Sequence, residues 1–176
     1  MTSGPRYKVP FRRRRDGRTD YRVRLKLLKS DRPRAVVRLS NQRVLVSVTT
    51  FDPAGDRVLA AAESPELTKI GFPASGTAAT PAAYLTGYLA GLRAKKAGAT
   101  EAVLDAGLRR PTDGGRLLGA LKGLLDAGLE IPHGETEFPK ADRLNGKHLK
   151  SPLTQPLETY RGQLAGLVDR PREASR

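Results

Sequence analysis

The chain has no cysteine and no tryptophan, one methionine and two histidines among its 176 residues. Without cysteine, disulfides and thiolate metal sites are excluded. His133 and His148 lie apart, with no zinc-ligand spacing around them, and both read as exposed loop residues. No apolar run approaches the roughly 18 residues that a membrane-spanning helix needs, and no apolar h-region follows the charged N-terminus. Neither a membrane span nor a signal peptide is therefore expected, and the expected compartment is the cytoplasm. No G-x-S-x-G and no Walker-type glycine loop occurs.

Acidic residues are also scarce: 18 Asp and Glu face 32 Lys and Arg, a net charge of +14. That imbalance favours a polyanionic partner, and it is concentrated. Residues 1–43 hold 15 Lys and Arg against three acids, a net of +12, whereas residues 44–176 hold 17 against 15. Arginine outnumbers lysine in the basic quarter, and guanidinium suits bidentate phosphate contact better than ammonium does.

Residues 1–18 carry no apolar periodicity and read as an extended basic arm. Thr19 or Asp20 can cap a helix running to about Lys29. On it Tyr21, Leu25 and Leu28 form an apolar stripe expected to dock on the domain, and Arg18, Arg22, Lys26 and Lys29 form an adjacent basic stripe. Three strands follow, over "RPRAVVRLS", "VLVSVTTF" and "RVLAAAE", joined by the turns "SNQR" and "DPAGD" as an antiparallel meander. "SPELTKIG" reads as a short helix capped by Ser64, and "TPAAYLTGYLAGLRAKKAG" as a helix capped by Thr80. Residues 101–108 read as a short buried strand, and "GGRLLGALKGLLDAGLEIP" as a helix ending near Gly128. Over residues 131–156 four prolines and the loss of periodicity predict a long arm or surface-hugging extension, followed by a final helix over 157–170. The expected organisation is a basic arm (1–18), a globular α/β domain (19–130) and an extended C-terminal segment (131–176).

Enzymatic chemistry finds little support. Asp52 and Asp56 are explained by the hairpin turn they flank, and Asp126 by a helix surface. Asp105, ending the fourth strand, has no evident structural role and is the one acid that keeps a metal-dependent nuclease in view, since two-metal chemistry needs converging carboxylates. "DGGRLLG" is a strand-to-helix turn that could also hold a phosphate. No cofactor or metal is expected.

The binding signal is stronger. The arm offers Arg12, Arg13, Arg14, Arg15 and Arg18. The helix adds Arg22, Arg24, Lys26 and Lys29. The first strand and its turn add Arg32, Arg34, Arg38 and Arg43. Tyr7, Phe11 and Tyr21 interleave aromatic faces able to stack on bases. A disordered tail would not carry its charge on through a helix and onto a strand.

"GRTDYRVRLKLLKS", "PRAVVRLSN", "DPAGDRVLA", "TPAAYLTGYLAG", "AVLDAGL" and "LKGLLDAGLEIPH" occur in this order. Together they resemble the archaeal-type 5S-rRNA-binding protein family of the large ribosomal subunit, large-subunit protein number eighteen, whose eukaryotic counterpart is number five. The resemblance runs from about Arg12 to His148. It implies a non-enzymatic structural protein that binds 5S rRNA and attaches it to 23S rRNA in the central protuberance. Implied partners are the other 5S-binding large-subunit protein and neighbouring central-protuberance proteins. The implied fold is α/β, a mixed sheet with helices packed on it in a ribonuclease-H-like arrangement. The implied RNA-facing parts are the arginine arm, "GRTDYR" and the "RLSNQR" turn with Ser40, Asn41 and Gln42, with Thr77 and Thr80 as weaker candidates. A nuclease on a related fold and a general basic nucleic-acid-coating protein are the alternatives.

Overall fold

Four strands and six α-helices organise residues 4–149 and 153–169, the part of the chain that this computed structural model describes. β1 (Arg34–Leu39), β2 (Val44–Thr50) and β3 (Arg57–Glu63) form the expected antiparallel meander. β4 (Val103–Asp105) lies parallel to β1, giving the mixed order β3-β2-β1-β4. A parallel neighbour needs a long crossover, and here residues 64–102 supply it. The fourth strand is shorter than the 101–108 read from sequence. Glu101 bridges to Glu130 instead, and Gly107 turns the chain with φ 65°.

Alternation decides the faces of the sheet. Ala35, Val37, Val44, Val46, Val48, Ala60 and Ala62 are buried, and they join one cluster with α3 (Thr80–Lys96) and α4 (Arg116–Asp126). Each fully buried Val or Leu there contributes about 1.5–3 kcal/mol relative to exposure. The two helices meet at glycines. A methyl group at Gly123 would stand 2.1 Å from the Tyr84 carbonyl oxygen, and one at Gly87 would stand 2.2 Å from that of Ala120. Gly87 of α3 and Gly123 of α4 are therefore required by backbone contact between the helices.

Two expected caps differ. Residues 64–70 form a 3₁₀ helix whose capping box is made by Glu63 and Glu66. Ser64 instead accepts the Val44 N–H at 2.9 Å, tying the helix to β2. Ala79, not Thr80, is the N-cap of α3, and Thr80 is buried within its first turn.

Described residues from 131 onward pack on the domain. Ile131, Leu144 of α5 (Ala141–Leu144), and Leu157, Tyr160 and Leu164 of α6 (Leu157–Asp169) all join the core cluster. The Tyr160 ring meets Phe72 edge-on at 5.6 Å. A few spaced apolar side chains thus hold a stretch whose pattern carries no period.

Candidate nucleic-acid interface

The four-arginine run is not extended. Arg12–Arg15 forms a single helical turn, α1. Gly17 stops it in the left-handed region at φ 64°. Arg18 N–H donates to the Arg13 carbonyl at 2.8 Å, and Gly17 N–H to that of Arg14 at 3.1 Å, the paired closure of a Schellman cap. "RRRRDG" is thus a short helix with its own stop signal. The Arg13 guanidinium donates to Thr19 at 2.9 Å, and Phe11 packs on Tyr21 with ring centroids 5.4 Å apart. These contacts fold α1 against the next helix.

α2 (Tyr21–Leu28) is capped by Asp20, whose carboxylate accepts the Arg22 and Val23 N–H groups. Its inward face differs from the expected stripe. Leu25 is 57% exposed, while Tyr21, Arg24, Leu27 and Leu28 are half-buried. Arg24 occupies the inward position, where its Nη2 donates to both Asp56 carboxylate oxygens, at 3.1 and 2.9 Å. A forked ion pair at that position turns the helix so that Leu25 faces out. Arg22, Lys26 and Lys29 remain on the exposed side, as the basic stripe requires. Among the described residues Arg12, Arg14, Arg18, Arg22, Lys26 and Lys29 form no ion pair.

Arg34 sits in the interior rather than on the surface. Only 2% exposed, it donates to Asp105 at 3.0 Å and to Asp56 at 2.5 Å. Asp105 also accepts the Arg38 guanidinium and the Gly107 N–H, at 3.0 and 2.9 Å. Two carboxylates thereby arrange three arginines: Arg34 is the buried hub, and Arg24 and Arg38 are held toward the surface. Burial alone would raise the Asp56 carboxyl, but hydrogen bonds and charge from Arg24 and Arg34 outweigh it and hold it below the ordinary carboxylate range. A buried arginine needs such partners, because an unpaired buried charge is strongly destabilising.

The turn after β1 is built to be rigid. Ser40 Oγ accepts the Gln42 and Arg43 N–H groups at 3.2 and 2.9 Å. Arg116 of α4 donates to the carbonyls of Ser40 and Ala78, at 3.0 and 2.9 Å. Asn41, Gln42 and Arg43 are left exposed at its tip. Thr77 donates to the Gln42 carbonyl at 3.0 Å, so the small-residue loop braces the same turn. Arg32 pairs with Glu101 at 3.1 Å, with both side chains nearly half exposed, a pair of the kind that adds little stability.

Asp105 now has its structural role, as the anchor of Arg34 and Arg38. Both of its oxygens are occupied by guanidinium, and among the described residues no group of three metal-ligating side chains assembles. The loop following Asp105 was not foreseen as part of the basic surface. It places exposed Leu108 and Arg109 beside α2. Its sequence signal is slight, a glycine turn followed by two arginines after the last strand.

A family profile described as ribosomal large subunit proteins 60S L5 and 50S L18 matches residues 5–97 and 92–134. The chain is 54% identical over 149 residues to a protein of Methanoregula boonei named large ribosomal subunit protein uL18, covering 85% of each chain. A protein of the same name from Korarchaeum cryptofilum is 54% identical over 151 residues, 86% of this chain and 77% of that one. Another, from Aeropyrum pernix, is 48% identical over 175 residues, 97% of this chain and 81% of that one.

Proposed function

The chain belongs to the family of ribosomal large-subunit proteins 60S L5 and 50S L18, and from that premise we propose that it binds 5S rRNA and helps attach it to 23S rRNA in the central protuberance. It is a structural component of the large subunit and not an enzyme, and it works in the cytoplasm as part of the ribosome. The observation that carries the RNA reading is the excess of exposed, unpaired arginine and lysine on α1 and α2, in a chain whose other three quarters are nearly neutral.

RNA contact falls to Arg12, Arg13, Arg14, Arg15 and Arg18 around α1, to Arg22, Lys26 and Lys29 on the outer face of α2, and to the Ser40–Arg43 turn. Tyr21, Arg24, Arg32 and Arg38 border this surface, and Arg34 supports it from within. Affinity arises mainly from phosphate neutralisation, so binding weakens steeply with salt. Selectivity arises from RNA shape, unstacked bases and 2′-hydroxyl groups. The other 5S-binding large-subunit protein and its central-protuberance neighbours are the protein partners in this reading. The order β3-β2-β1-β4, with only the last pair parallel, supports a ribonuclease-H-like arrangement. Residues 1–18, 19–130 and 131–176 then act as RNA-binding segment, rRNA-binding domain and C-terminal extension.

The test is a competition. Labelled 5S rRNA transcript bound to the full chain should resist duplex DNA of equal length, and in Mg²⁺ it should stay intact. Equal competition would point to a general coating protein. Cleavage abolished by Asp105→Asn would point to a nuclease.

A further inference from the structure

Two cavities lie side by side where α2 meets the loop after β4. The larger is about 550 Å³ and the smaller about 340 Å³. Both are of the size that small-molecule sites occupy, about 300–1,000 Å³. Thr19, Asp20, Tyr21 and Leu108 line both cavities and lie between them, with Tyr21 and Leu108 as the large apolar members. The Tyr21 ring is braced from outside by Phe11 at 5.4 Å.

Aliphatic groups line the larger cavity, and arginines line both. Val23, Leu27 and Leu39 line the larger cavity, and Arg18 and Arg109 stand at its edge. Arg14 and Arg22 edge the smaller one. The acids present are already engaged: Asp20 caps α2, and Asp105 holds Arg34 and Arg38. The site is therefore positive at its rim with an aromatic partition at its centre.

Resting on the RNA-binding reading above, we propose that this double cavity takes two consecutive unpaired nucleotides, one base on each side of the Tyr21–Leu108 wall. Planar bases match slots flanking a fixed ring, and stacking on an aromatic side chain contributes about 1–3 kcal/mol per base. The phosphates flanking and joining the two bases meet Arg14, Arg18, Arg22 and Arg109. An acidic peptide would satisfy the guanidinium groups but would leave the Tyr21 ring and the aliphatic lining of the larger cavity without a flat partner. The site reads the unpaired state of the RNA, which phosphate contacts alone do not do.

The experiment uses the full chain with two probes, a 5S rRNA transcript and a single-stranded oligouridylate octamer. Tyr21→Ala and Leu108→Glu are compared with Val58→Glu. Val58 is as exposed as Leu108, 56% against 58%, and lies on β3 outside both cavities. The first two variants should weaken binding of both probes about five- to a hundredfold, whereas Val58→Glu should change it by no more than about twofold. Chemical probing of 2′-hydroxyl groups should show two adjacent unpaired transcript nucleotides protected by the parent protein and reactive again with Tyr21→Ala. Transcript binding that all three variants reduce equally, or not at all, overturns the double site and leaves the 5S reading standing. An octamer bound in a Tyr21- and Leu108-dependent way, by a chain that ignores the transcript, supports the site and sinks the 5S reading. Displacement of the octamer by polyglutamate of equal charge as readily as by unlabelled octamer overturns the proposal in favour of an acidic peptide.

Discussion

Arg34 and Arg22 are the same residue type twelve positions apart, and they do opposite work. Arg34 is enclosed between Asp56 and Asp105 on the sheet, while Arg22 lies exposed on α2 without an ion-pair partner among the described residues. The contrast extends to the regions around them. From β1 onward the chain is organised by apolar burial, with aliphatic strands and helices in one cluster and the buried charges, Arg34 and Asp105, paired. Before β1, neither α1 nor α2 has a fully buried residue, and a few polar ties and one ring contact hold them in place. The segment before β1 is thus arranged by the domain but not stabilised as a core. Its net charge would repel itself less with an anion bound.

The sharpest way to break this comparison is at its junction. Arg34→Ala should cost about 3–5 kcal/mol of unfolding free energy, because it removes the buried guanidinium that pairs with both Asp105 and Asp56. It should also lower RNA affinity by releasing the Asp56 pair that steadies α2; chemical denaturation and RNA titration read the two effects. A result as mild as a surface mutation would mean that the hub is replaceable. Next comes the body alone. Gly123→Ala should cost about 1–3 kcal/mol by pushing α4 off the Tyr84 backbone, with RNA affinity retained at temperatures where the variant is folded.

A smaller effect should come from acid. The folded-state carboxyls of Asp56 and Glu66 lie below their ordinary values of 3.8 and 4.5. Burial would raise both, but Arg24 and Arg34 at the first and Arg93 at the second more than reverse it. A depressed carboxyl contributes stability that is complete above its unfolded value and is lost as pH falls through the folded one. Melting temperature should therefore hold above about pH 5 and decline below about pH 4, and Asp56→Asn should flatten part of that decline.

Leu25→Asp should change stability by no more than about 0.5 kcal/mol, since Leu25 faces solvent. The same change at half-buried Leu28 should cost more, and equal costs would restore the stripe expected from spacing. Smallest on the fold and large on function is the replacement of Arg12–Arg15 by alanine. Denaturation midpoints should stay put, while the logarithmic salt dependence of RNA binding should flatten by up to about three units. An unchanged salt slope would make those arginines a solvated tail.

Strands, the two long helices and the placement of charge were legible in the sequence because each depends on local periodicity or simple counting. The face of α2 was not. Tyr21, Leu25 and Leu28 share a helical stripe, but the helix turned to give Arg24 to Asp56, a residue thirty-two positions away. The arginine run reads as extended because it carries no apolar periodicity, yet the Gly17 stop signal closes it as a helical turn. Asp105 looked like an acid without a purpose, since its partners arrive from β1 only when β4 pairs beside it.

The amino-acid order by itself determined that this chain builds an α/β domain behind a basic N-terminal quarter, because burial pattern and net charge are properties of composition along the chain. Which arginines stay free for a polyanion was decided only by the tertiary structure. An ion pair depends on where two strands and a turn bring carboxylates, and sequence separation says nothing about that distance.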